Sequence, residues 1–146
     1  MAELTMFPVD PGEVPAQSAG EIGRVPAFST EDARFLLVDG ALKERSGREA
    51  VQQWFDLALR QQPGRVPIYP KDQERTYGVA RDLIGSKYPS GLILAELERN
   101  VRDTASYCPA VRSIQDFSAQ RSGRGCTVSF TAVLHTNETV EVRVDV

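Results

Sequence analysis

Residues 126–146 read CTVSFTAVLHTNETVEVRVDV, and the period of this stretch decides the fold. Val128, Phe130, Ala132 and Leu134 fall on one side of an extended chain, with Thr127, Ser129 and Thr131 on the other. That period of two marks a strand with one dry and one wet face. HTNE then signals a turn, and TVEVRVDV repeats the alternation, setting Val140, Val142 and Val144 against Thr139, Glu141, Arg143 and Asp145. Upstream, AVRSIQDFSAQ (110–120) is a third strand candidate, joined through the turn RSGRG. Consecutive strands with short links make an antiparallel meander. Its last strand raises a question, because an exposed edge offers unpaired N–H and C=O groups to any other chain. Such a strand is either paired within the fold or meant for a partner.

Helical patterns precede the meander. In SGREAVQQWFDLALR, Ser46 and Glu49 match a capping box, and Val51, Trp54, Phe55 and Ala58 form an i, i+3, i+4, i+7 apolar stripe. Pro63-Gly64 is the expected stop. A short helix is expected around Val79 to Ile84, ended by Gly85. Pro89-Ser90 opens a longer one with Ile93, Leu97 and Val101 as its core line, opposite-charge pairs Glu98–Arg102 and Arg99–Asp103 on its wet face, and Pro109 beyond its end. Nearer the start, Phe35 to Val38 has β character and Asp39-Gly40 is a hairpin turn. The expected fold is therefore α+β: a small helical part packed on a C-terminal antiparallel meander of about three strands, with a short N-terminal β-hairpin. Residues 1–30, rich in Pro and Gly and without apolar period, read as an extended arm dispensable for folding; residues 31–146 form the domain.

Composition narrows the function. A chain of 146 residues with 41% hydrophobic and 25% charged residues can bury one core. A net charge of −3 gives no electrostatic reason to expect nucleic acid. No apolar run is long enough for a membrane span, and MAELTMFPVDPGE lacks the pattern of a signal peptide. Cys108 and Cys126 lie apart without CxxC spacing, so two free thiols in a reducing compartment are expected, with a disulfide between them as the alternative. The lone histidine, His135, precedes the turn and is expected to be exposed; it leaves no partner for a His-based metal site or relay.

Catalytic motifs are missing: there is no G-x-S-x-G elbow, P-loop or G-x-G-x-x-G. Glu96 and Glu98 stand two apart on a helix and so point to different faces, unlike the facing carboxylates of a glycosidase. The expectation is a protein without catalysis, cofactor, metal or small-molecule substrate. Tyr69-Pro70 and Tyr77-Gly78 gather aromatic and rigid residues in an irregular region. They suit core edges with a tight backbone, or a recognition surface, since tyrosine is enriched at interface hot spots.

In order, the segments EAVQQWFDLALR, IYPKDQERTYG, DLIG, ELERNVRDTA and the CPAV…F…VSFTAV ending resemble the phage baseplate wedge family. It includes the sheath initiators of contractile tails, is related to a baseplate component of type VI secretion, and has been labelled lysozyme-like. The version most similar is that of contractile prophages and tail-like bacteriocins of Gram-positive bacteria. The resemblance spans about Phe35 to Val146. Many relatives carry Glu-Pro-Arg after the long helix; here Cys108-Pro109-Ala110 keeps only the proline.

The resemblance implies a structural protein of a virion tail baseplate or phage-tail-like particle, assembled in the bacterial host cytoplasm. It would join the wedge and start the sheath by sharing strands with sheath subunits, using Thr139 to Asp145. Tyr77, Gly78, Cys108 and Pro109 would face the wedge. Implied partners are the sheath protein, baseplate wedge proteins and tail tube or hub proteins. A protein-binding regulatory adaptor on the same fold, or a peptidoglycan hydrolase, are the alternatives.

Overall fold

The computed structural model describes residues 20–68 and 75–146; Tyr69, Pro70 and residues 1–19 of the expected arm lie outside the described residues. The described chain enters through a cluster of two-residue strands: β1 (Val25–Pro26), β2 (Phe28–Ser29), β3 (Arg34–Phe35), β4 (Leu37–Val38), β5 (Ala41–Leu42) and β6 (Glu44–Arg45). All pairings are antiparallel, β1 with β6, β2 with β3 and β4 with β5. Asp39 and Gly40 both take positive φ, as a two-residue hairpin requires, so the expected turn forms. At the junction, backbone bonds close a ring: Ala27 N–H donates to Lys43 O, Lys43 N–H to Leu36 O, and Leu36 N–H to Ala27 O. Composition placed residues 25–29 in an arm. The structure corrects this: they are paired, and Ala27 is wholly buried.

Helix α1 (Gly47–Leu59) follows, and its stripe buries Val51, Phe55 and Ala58, with Trp54 half-buried. Ser46 is its N-cap, but the side chain makes no capping bond, so the expected capping box does not form. Gly47 enters with φ +56, a left-handed turn that the two-sided box geometry does not accommodate. The helix ends at Leu59, before Pro63-Gly64. The short helix expected at 79–84 is only a 3-10 turn, Arg81–Leu83. So few residues cannot offset helix nucleation, and the Ser86 hydroxyl caps Leu83 O at 2.7 Å. Helix α2 (Ser90–Ala105) buries Leu97 and Val101 with Ile93 against the core, and stops three residues before Cys108. Its ion pairs are as expected: Arg102 to Glu98 at 2.8 Å and Arg99 to Asp103 at 4.0 Å.

The meander is β7 (Val111–Ser122), β8 (Gly125–Leu134) and β9 (Thr139–Asp145), in spatial order β7-β8-β9. Gly123, at φ +59, leads the two-residue turn between β7 and β8. Between β8 and β9, Asn137 takes φ +66 and donates its N–H to Leu134 O. The alternating residues of β8 and β9 bury Val128, Phe130, Ala132, Val140, Val142 and Val144 against the helices. β7 departs from this regularity through register shifts at Arg112 and at Asp116-Phe117, where Asp116 has φ +54. Each bulge turns the strand over, so Val111, Ile114 and Phe117 all reach the core.

One side chain hangs the small β-cluster on the rest. Gln53 accepts from Phe28 N–H (2.9 Å) and Arg45 (3.1 Å), and donates to Pro26 O (2.8 Å). Leucine at this position would leave the part-buried Phe28 N–H and Pro26 C=O without their side-chain partner. We expect Gln53→Leu to cost roughly 1–3 kcal/mol. Chemical denaturation should show the lower midpoint, and amide exchange should rise first at residues 25–29.

Candidate functional site

The strand β9 has two edges of different character. Toward β8 its residues pair in register, Val128↔Val144, Phe130↔Val142 and Ala132↔Val140 among them. Cys126 and Val146 exchange both backbone bonds, at 3.0 and 2.8 Å. In an antiparallel ladder such two-bond pairs recur at every second residue. Val140, Val142 and Val144 therefore turn their N–H and C=O toward β8. Thr139, Glu141, Arg143 and Asp145 turn theirs outward, where no strand pairs with them among the described residues. Gln52 Nε2 of α1 donates to the Glu141 carbonyl at 3.1 Å, which fixes that direction independently.

Side chains follow the same parity. The valines are buried under α1, while Thr139, Glu141, Arg143 and Asp145 are exposed on the opposite face of the sheet. Asp145 is steadied by the Thr127 hydroxyl at 2.6 Å. Helix α1 lies across β9, the outermost strand, and Phe55 meets Phe130 edge-on at 5.0 Å. The helix thus roofs the inner side of this edge, and Gln52 reaches over its rim.

The second set of candidate residues is brought together, but much of it is spent internally. Gly78 has φ +94, and a Cβ there would collide with Gln61 O. Its N–H donates to Thr104 Oγ1 at 2.9 Å, whose own proton goes to Asn100 O at 2.6 Å. Cys108 is buried, and Pro109 is exposed beside it. Tyr77 is half-buried between Trp54 (6.3 Å) and Tyr107 (5.6 Å), with the Arg75 guanidinium 4.7 Å over the Tyr107 ring. Of the four, Tyr77 and Pro109 present surface; Gly78 and Cys108 hold the backbone and fill the core.

Glu96 and Glu98 face arginines of their own helix, Arg99 at 3.8 Å and Arg102 at 2.8 Å. His135 is exposed, with its ring against Gly20. Cys108 and Cys126 are free and buried. Burial pushes the Cys108 thiol up, outweighing hydrogen bonds at the Ala110 and Val111 backbone, and it raises Cys126 as well. No helix among the described residues is long and apolar enough to cross a membrane.

Sequence reading missed two features. Gln52 is one polar residue on a wet helix face, and nothing in its neighbourhood announces a reach to β9. The other is an apolar patch on the N-terminal cluster: Phe35, Leu37, Val38 and Leu42 are 54%, 64%, 55% and 53% exposed. The β-character of 35–38 was visible, but its exposure among the described residues was not. No protein-family model matches the chain, and comparison with curated proteins finds no match.

The parity of β9 yields a sharp expectation. Proline at Val140, Val142 or Val144 removes a donor from the β8 ladder and a buried side chain, and should abolish the cooperative fold. Proline at Glu141 or Arg143 removes only an outward donor and should leave near-ultraviolet circular dichroism close to wild type. The thiols give a second expectation: with pKa values raised, less thiolate is present at a given pH. At pH 8 both should alkylate far more slowly in the native protein than in denaturant, as mass spectrometry would read directly.

Proposed function

We propose that this protein is a non-catalytic structural component of a contractile-tail baseplate, joining the wedge and initiating the sheath by β-strand addition at β9. The observation that carries this reading is the outward row of backbone groups on Thr139, Glu141, Arg143 and Asp145, on a strand whose inner side is fully paired. Strand addition draws affinity from such backbone groups and register from alternating side chains. A slip by one residue would turn the buried valines outward, so the register of β9 is held firmly for a partner to read. The reading also rests on the resemblance of residues 35–146 to sheath initiators. Its partners would be the sheath protein, wedge proteins and tail tube or hub proteins, in a particle assembled in the bacterial cytoplasm.

The exposed apolar cluster at Phe35, Leu37, Val38 and Leu42 supports a protein contact away from β9, and we assign it, with Tyr77 and Pro109, to the wedge side. The same patch would equally serve a regulatory adaptor, the second reading of this surface. The two separate on strand addition. In a reconstitution with sheath subunits, wild type should seed sheath growth, and Glu141→Pro should not, although it folds. Sheath growth seeded equally by Glu141→Pro would overturn the assignment of β9. An adaptor would bind a regulatory protein and seed no sheath at all.

A further inference from the structure

We propose that the β9 edge is a slot for one bare extended strand, paired antiparallel about Val142 with a basic residue across from Glu141 and an acidic one across from Arg143, and that α1 bars a second folded copy of this chain from it. This deepens the strand-addition part of the reading above and rests on that part alone.

The pairing rule follows from the parity of the edge. An added strand bonds through the outward groups of Glu141 and Arg143, so the residues opposite them also turn their backbone groups inward to β9. Their side chains then share the exposed face of the sheet with Glu141 and Arg143, at cross-strand distances where opposite charges attract and like charges repel. The sequence of β9 itself meets this rule. Laid antiparallel about Val142, a second TVEVRVD strand sets its Arg143 against Glu141 and its Glu141 against Arg143, with Thr139 against Asp145 at either end. Valine then meets valine on the helix side.

Such a self-complementary edge would be expected to dimerise, and the position of α1 is what opposes it. The two-fold axis of an antiparallel pair is normal to the sheet, so both copies would carry α1 on the same face. In each copy α1 lies across β9 rather than over the middle of the sheet. Paired strands stand about 4.7–4.9 Å apart, whereas packed helices need roughly 8–10 Å. The two helices collide. A bare strand brings no helix and slides under the rim. Among the described residues it has one local bond to displace, the 3.1 Å contact from Gln52 Nε2 to Glu141 O, whose exposed amide passes to water.

The test uses the full chain and a synthetic acetylated peptide of residues 139–146. The peptide should bind, with amide shifts concentrated at Glu141 and Arg143, at protein concentrations where sedimentation shows the full chain to be monomeric. Arg143→Glu in the peptide should weaken binding about fivefold to tenfold, and Glu141→Arg in the protein should restore it, since every facing pair is again of opposite sign. Gln52→Ala should tighten binding roughly twofold to tenfold by removing the competing donor. Dimerisation of the full chain as tight as peptide binding would overturn the role of α1. Indifference to charge reversal, or no shift at Glu141 and Arg143 with millimolar peptide, would overturn the slot. Sheath seeding is measured in parallel: seeding that persists while the peptide rule fails overturns only this inference. A peptide rule that holds without sheath seeding overturns only the baseplate reading.

Discussion

The contact of Phe55 on Phe130 is the constraint from which most of the architecture follows. Phe55 is fully buried, with Phe130 edge-on at 5.0 Å and Trp54 edge-on at 5.1 Å. Aromatic edge-to-face pairs add directional energy to the area they bury, so this one sets where and how α1 lies on the sheet. Three other parts of the fold take their place from α1 and the turn that follows it. Gln53 clasps the N-terminal cluster, Gln61 O receives the Val79 N–H at 3.0 Å, and Gln52 reaches the rim of β9. A helix displaced by one turn would lose all of these together.

A chain of rings continues that contact outward. Trp54 meets Tyr77, Tyr77 meets Tyr107, and Tyr107 carries the Arg75 guanidinium. The irregular segment 75–79 is thereby wedged between α1 and α2, with Asp103 accepting the Thr76 N–H, Thr104 the Gly78 N–H and Gln61 O the Val79 N–H. Irregular chain is acceptable there because its polar groups find partners inside the protein. Gly78 is the residue that permits the approach.

Legibility of the sequence tracked how local the determinants were. β8 and β9 alternate without interruption, so their dry faces could be named residue by residue. The stripe of α1 and the ion pairs of α2 were equally plain. β7 concealed its inward set because its bulges put Val111, Ile114 and Phe117 three apart, a spacing that belongs to helices. Residues 25–29 look like arm because Pro26 and the nearby glycines have poor strand propensity; pairing across to residues 34–45 overrides it. The capping box failed on one dihedral, at Gly47. At the candidate site the sequence located the strand but left its parity open. Which edge groups face out depends on where the β8 ladder begins, and Cys126 with Val146 sets that.

The β8–β9 ladder has a mechanical consequence. Its bonds run perpendicular to the strands, at Ala132/Val140, Phe130/Val142, Val128/Val144 and Cys126/Val146. Tension applied along β9 loads these rungs in shear, all at once, while tension applied across it opens them one after another from an end. An element joined to the outer edge of β9 and drawn along the strand axis would therefore meet the full resistance of the ladder. The same element drawn sideways would unzip it.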